Sequence, residues 1–77
     1  MTDTVKLEMA ITRSGITKKK ISEYLDISEM GLYKKINNIT EFKASEICLL
    51  QKILNLSPAE RDAIFFAPCV DYKSTII

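Results

Sequence analysis

One stretch decides the fold of this 77-residue chain, and it reads GITKKKISEYLDISEMGLYKKI over residues 15–36. The stretch predicts two short helices joined by a tight turn. Thr17 and Ser28 are suited to open the two helices, because their hydroxyl oxygens can accept free backbone N–H groups. Between the helices, Asp26 is one of the few residue types other than glycine that tolerates a left-handed backbone.

The same residues meet the requirements of a helix-turn-helix, in which the second helix enters the DNA major groove. Ser22 is small enough for two helices to cross closely, and Ile27 places an apolar side chain inward after the turn. Leu32 and Ile36, one helical turn apart, supply the inward face of the second helix. The alternative is an ordinary helical hairpin within a small bundle.

Caps and apolar spacing predict further helices on both sides of this unit, so the fold class is all-α, a compact bundle of about five short helices. Alternation of apolar residues near the start also permits a strand, but the residue types favour a helix that ends at Gly15. The sequence Ser57-Pro58-Ala59-Glu60 is a capping box with proline at the first helical position. The predicted helices are residues 4–13, 18–25, 29–37, 44–55 and one from residue 58 that ends before Pro68. Tyr24 and Cys48 are expected on buried faces.

Composition excludes several classes of protein. The formal net charge is +1, there is no histidine, and the cysteines number two. These residues provide neither a disulfide scaffold nor a zinc site, so no metal or cofactor is expected. There is no nucleophile with a base at useful spacing and no glycine-rich phosphate loop, so we expect neither an enzyme nor a small-molecule site. No apolar run approaches a membrane span, which indicates a cytoplasmic protein.

If the motif is a helix-turn-helix, its outward residues fall into two groups, those that contact base edges and those that contact phosphates. Three consecutive lysines open the first helix, where cations oppose the helix dipole, and a nearby phosphate would resolve that conflict. Alternatively, the run is simply solvated. Contacts to base edges are expected from Ser28, Glu29, Met30, Tyr33 and Lys34. Contacts to phosphates are expected from Thr17, Lys18, Lys19, Lys35, Asn37 and Asn38.

Residues 15–36 resemble the DNA-binding domain of phage Cro and lambda-type repressors. The resemblance extends through Leu32–Asn37, Glu41–Ile47 and Ile53–Ser57, where the chain is similar to small Cro-like proteins from phages of Gram-positive bacteria. It covers about residues 5 to 67. Asp26 stands where the family often has glycine, and Glu29 stands where it often has arginine or glutamine.

The resemblance implies a repressor of a phage lysis–lysogeny switch, encoded by a phage or prophage, that binds double-stranded operator DNA as a homodimer. Residues 1–67 would form the DNA-binding domain and residues 68–77 a tail that is a candidate dimerisation segment. The predicted dimer contact consists of Phe65, Phe66, Val70, Tyr72 and Ile76. Two alternatives stay open. The unit could bind a protein, as an antirepressor, a repressor modulator or an inhibitor of a host defence complex, or it could bind DNA as a monomer that needs a partner for specificity.

Overall fold

The computed structural model describes residues 1–66, and all the regular secondary structure within them is helical. The helices are α1 (Thr4–Ser14), α2 (Lys18–Leu25), α3 (Glu29–Ile36), α4 (Ala44–Ile53) and α5 (Pro58–Phe65). The predicted all-α class is confirmed, and the amino-terminal segment is a helix rather than a strand. Among residues 1–66, no helix is both long enough and apolar enough to cross a bilayer.

Most of the helices begin at a side chain that accepts a backbone N–H group. Thr17 accepts from Lys20 at 3.2 Å, and Ser28 accepts from Gly31 at 2.9 Å. Asp3 and Ser57 open α1 and α5 in the same way. Each cap satisfies one of the N–H groups that the first helical turn leaves free. The predicted caps Thr17, Ser28 and Ser57 are therefore confirmed.

A residue with a left-handed backbone lies directly after α1 and α2, and two residues after the end of α3 and α4. Gly15 has φ 76°, and Asp26, Asn38 and Asn55 have φ 57°, 63° and 55°. Asp26, Asn38 and Asn55 carry a Cβ atom, which makes this conformation less favourable than it is for glycine. Asn38 differs from the others because its side chain is engaged, accepting from the Thr2 N–H at 2.9 Å and donating to the Thr2 carbonyl at 2.8 Å.

This difference predicts opposite outcomes for the same substitution. Asn55→Gly should raise the free energy of unfolding by about 0.5 kcal/mol, since it relieves the left-handed strain and removes only an exposed side chain. Asn38→Gly gains the same relief but loses two hydrogen bonds worth about 0.5–1.5 kcal/mol each, so it should lower stability by about 1 kcal/mol. Urea unfolding of the two variants measures both effects, and equal signs would contradict the assigned role of Asn38.

A single apolar core joins the helices. Its most deeply buried members come from α1, α2, α3 and α4, and they are Leu7, Ile21, Leu32, Ile36 and Leu50. Phe42, from the loop before α4, packs edge-on against Phe65 of α5 with ring centroids 5.3 Å apart. The core therefore holds the inner face of α3 through Leu32 and Ile36, as the sequence predicts.

Two predicted core positions are wrong. Tyr24 is 53% exposed, and Cys48 is an exposed free thiol. In both cases the apolar residues spread round more of the helix than one face can bury. The buried face of α2 consists of Ile21, Ser22 and Leu25, which leaves Tyr24 outside. An apolar run alone thus overestimates the buried stripe of a short helix.

Helices α1 and α5 pack antiparallel. The Asp3 N–H donates to the Ile64 carbonyl at 2.6 Å, and at the other end Arg13 Nη1 lies 3.0 Å from Glu60 Oε2. Glu60 also accepts the Ser57 N–H at 2.9 Å, which completes the capping box at the start of α5. The Ser57 N–H, followed by the Arg13 guanidinium, holds the pKa of Glu60 below its usual value of 4.5.

A lowered pKa in the folded state gives a defined pH dependence. The stabilisation by ionised Glu60 is fully present above its unfolded pKa and is lost as the pH falls through the lower folded pKa. Glu60→Gln keeps an acceptor for the cap but removes the charge, so its melting temperature should lie below that of the wild type at pH 7. The gap should close as the pH falls below about 4.5. A gap that stays constant down to pH 2 would contradict the assignment.

Candidate nucleic-acid interface

The turn between α2 and α3 is fixed by backbone hydrogen bonds on its inner side. The Asp26 N–H donates to the Glu23 carbonyl at 3.1 Å, and the Ile27 N–H donates to the Ser22 carbonyl at 3.0 Å. This pair of bonds, with a left-handed residue between them, terminates α2 and reverses the chain within residues 26–28. Ile27 packs against the core, and Ser22 is buried at 3% exposure, as expected for a small residue between packed helices.

Helix α3 presents one exposed face along its length. Met30 and Tyr33 are 61% and 57% exposed, and Lys34 and Asn37 are exposed beside them. Residues 30, 33, 34 and 37 follow the spacing that places side chains on one side of a helix. Ser28 and Glu29 are exposed at its amino-terminal end. All five residues expected to contact base edges are therefore accessible, while Leu32 and Ile36 anchor the opposite side.

Gly31 lies in the middle of α3, where glycine normally weakens a helix. A Cβ atom at this position would lie 3.2 Å from the Ser28 hydroxyl oxygen and 3.8 Å from the Ile27 Cβ atom. The residues that crowd Gly31 thus belong to the turn and its cap rather than to α2. Glycine here leaves room for the hydroxyl that caps α3.

The lysines of the motif have different surroundings. Lys18 pairs with Glu8 at 2.9 Å, and the Lys20 ammonium lies 5.8 Å from the ring centroid of Tyr24. Both groups are exposed, so these contacts are weak and leave the lysines available. Lys19 and Lys34 are exposed and form no ion pair within residues 1–66. The accessible positive charge therefore lies on Lys18, Lys19 and Lys20 at the start of α2 and on Lys34 of α3.

Lys35 is not available for a phosphate, so that prediction is wrong. Its side chain is 12% exposed, its ammonium lies 3.1 Å from Glu46 Oε1, and it donates to the Glu41 carbonyl at 3.0 Å. Glu46 is itself buried and also accepts the Lys43 N–H at 2.8 Å. The Lys35–Glu46 pair, together with these two backbone bonds, joins the end of α3 to the start of α4. Lys35 thus holds α3 in place from its inner edge.

The polar residues at the two ends of the unit also differ from one another. Asn38 is engaged with both backbone groups of Thr2, which fixes its side chain and leaves only its second N–H hydrogen for the expected phosphate contact. Asn37 is exposed and donates one N–H to the Tyr33 carbonyl at 2.9 Å, which leaves its amide oxygen and second hydrogen accessible. Thr17 uses its hydroxyl oxygen as an acceptor for the cap of α2 and keeps its own hydrogen to donate.

Of the residues expected in a dimer contact, one is buried and another is exposed. Phe65 is 3% exposed and packs against Phe42, so it offers no surface to a second chain and its assignment to the dimer contact is wrong. Phe66 is 59% exposed. Consecutive helical residues point in directions about 100° apart, which explains why only one of the two rings is buried. Val70, Tyr72 and Ile76 lie outside the described residues.

The candidate interface thus consists of the exposed face of α3 and the amino-terminal end of α2. Its members within residues 1–66 are Thr17, Lys18, Lys19, Ser28, Glu29, Met30, Tyr33, Lys34 and Asn37. The sequence did not indicate that Lys35 and Asn38 bind other parts of the protein, because their partners are distant along the chain or in a loop. Comparisons of this chain with protein-family models, with curated proteins and with solved structures find no match.

Proposed function

We propose that this protein is a sequence-specific DNA-binding regulator whose recognition helix is α3. The observation that carries the proposal is the division of α3 into a held side and an accessible side. Leu32, Ile36 and the Lys35–Glu46 pair fix the inner side, while Tyr33 and Lys34 project outward. A rigid helix with exposed donors is what direct reading of base edges in the major groove requires.

The amino-terminal end of α2 supplies the contacts to the DNA backbone. Thr17, Lys18 and Lys19 lie there, and the positive end of the helix dipole adds to their attraction for a phosphate. The unfavourable placement of three lysines at a helix start is relieved when a phosphate binds. Lys19 contributes more than Lys18, because Lys18 pairs with Glu8 while no carboxylate within residues 1–66 pairs with Lys19.

The protein binds its operator as a homodimer, so that each copy of α3 enters one major groove. The two half-sites lie on one face of the duplex, about 34 Å apart. On the basis of its resemblance to Cro-like proteins, its role is that of a phage or prophage repressor acting in the bacterial cytoplasm. Among residues 1–66, we assign the exposed Phe66 to the contact between the two copies.

The test is a gel-shift titration of the purified protein on the DNA upstream of its own gene, with scrambled DNA as competitor and at several salt concentrations. Counting only Lys19 and Lys34, the lysines of the candidate interface that have no ion pair among residues 1–66, a dimer should release about four counterions, giving a slope of log K against log salt near about −4. Lys19→Ala should make the slope shallower by about 2. Lys6→Ala is the matched control, since Lys6 lies on α1 outside the α2–α3 unit.

The second candidate function is binding to a protein partner through the same face. It is favoured by Glu29, whose carboxylate repels phosphates at the start of α3, and by the inward engagement of Lys35. Met30 and Tyr33 would then act as apolar anchors. A specific, salt-sensitive shift supports the regulator. Absence of any shift at micromolar protein, with the fold intact by circular dichroism, overturns it and favours the protein-binding function.

A further inference from the structure

A groove runs between α1 and α5, on helices that the proposed DNA interface does not use. Its floor and sides are formed by Met9 and Ala10 of α1 and by Ala63 and Ile64 of α5, with Lys6 at one end and the Arg13–Glu60 pair at the other. It encloses about 340 Å³. Met9 is 65% exposed on its edge. An apolar depression with a large exposed side chain is a surface that favours an occupant.

The carboxyl-terminal segment starts beside this groove. The bond between the Asp3 N–H and the Ile64 carbonyl places the end of α5 against the start of α1, and the described chain leaves α5 there at Phe66. From Lys6 to Arg13 the groove spans seven residues of helix, which is about 10 Å. Three or four residues of extended chain cover that length. Residues 67–69, which include Pro68, are enough to reverse the direction of the chain.

The sequence of that segment matches the chemistry of the groove. Val70 and Tyr72 alternate with Asp71 and Lys73. In an extended segment, alternate side chains point to opposite sides, so the two apolar residues share one side and the two charged residues the other. We propose that residues 70–73 dock in the α1–α5 groove of their own chain, with Val70 and Tyr72 covering Met9. Docking in this way removes Val70 and Tyr72 from the predicted dimer contact.

A double-mutant cycle in the full chain tests this docking without any DNA. Met9→Ser is paired with Val5→Ser, because both residues are exposed on α1 at 65% and 68% but only Met9 lines the groove. The tail variant replaces Val70 and Tyr72 with serine, and its control replaces Asp71 and Lys73 with serine. Thermal unfolding is followed at two protein concentrations tenfold apart.

Met9→Ser and the tail variant should each lower the melting temperature by about 4–8 °C, and their combination should lower it no further. Val5→Ser and the charged-side control should change it by less than about 2 °C. Equal effects of Met9→Ser and Val5→Ser, or additive effects of the groove and tail variants, would overturn the docking. Coupling whose size depends on protein concentration would overturn it in favour of the tail of a second copy.

Discussion

Lys35→Ala is expected to lower the free energy of unfolding by about 3–5 kcal/mol. The Glu46 side chain is 8% exposed and has the Lys35 ammonium 3.1 Å from its Oε1 atom. Without that ammonium, the carboxylate keeps the Lys43 N–H but no opposite charge, and burying an unpaired charge is costly. The Glu41 carbonyl loses its donor as well. A loss of this size is a large part of the 5–15 kcal/mol that typically separates folded from unfolded chains.

Urea unfolding measures this effect, and the chain offers a matched control in the adjacent residue. Lys34→Ala removes the same kind of side chain from an exposed position and should change stability by less than about 0.5 kcal/mol. Replacing both members of the pair, as Lys35→Met with Glu46→Leu, should recover most of the loss, because no charge is then left buried. If Lys35→Ala costs less than about 1 kcal/mol, the pair does not hold α3 in the way described.

Under the proposed function, Tyr33→Ala and Lys34→Ala should each weaken operator binding by about 1–3 kcal/mol, or roughly five- to 150-fold. Both side chains lie on the exposed face of α3 and neither contributes to the core. Lys34 can donate to guanine O6 and N7, and the Tyr33 hydroxyl and ring can contact base edges or a thymine methyl group. Discrimination between operator and scrambled DNA should fall with affinity, because base contacts carry the specificity.

Competition binding at fixed salt measures these losses, and unfolding curves of the same variants separate them from instability. Lys19→Ala should weaken binding to operator and to scrambled DNA alike, since the proposed function assigns Lys19 to the DNA backbone alone. Operator binding at wild-type affinity by both Tyr33→Ala and Lys34→Ala would show that α3 is not the recognition helix. Loss of binding by Lys19→Ala on operator alone would reassign that residue to base reading.

The local features of the fold were predictable because their signals lie within a few residues of each other. The caps Thr17, Ser28 and Ser57 each act on the backbone three positions ahead, and the left-handed Asp26 ends the helix next to it. The inward pair Leu32 and Ile36 follows from helical spacing alone. The helix bounds agree with the predictions to within two residues for the same reason.

The missed features depend on residues that are far apart in the chain or that compete for one buried face. Nothing near Lys35 marks it as the partner of Glu46, eleven positions later, or Asn38 as the partner of Thr2. Which of Phe65 and Phe66 is buried depends on where Phe42 packs. Sequence periodicity identifies the faces of each helix, but only the packed structure shows which outward polar groups are already engaged.

The two hydrogen bonds between Asn38 and Thr2 affect the dynamics of the amino terminus. The first residues of a domain ordinarily fray independently, and their amide hydrogens exchange with solvent fast. Here the Thr2 amide hydrogen is bound by Asn38, two residues after α3, and the Asp3 amide hydrogen is bound by the Ile64 carbonyl near the end of α5. The amino terminus should therefore belong to the same cooperative unit as α3. Slow deuterium uptake at Thr2 would then report whether α3 is in place.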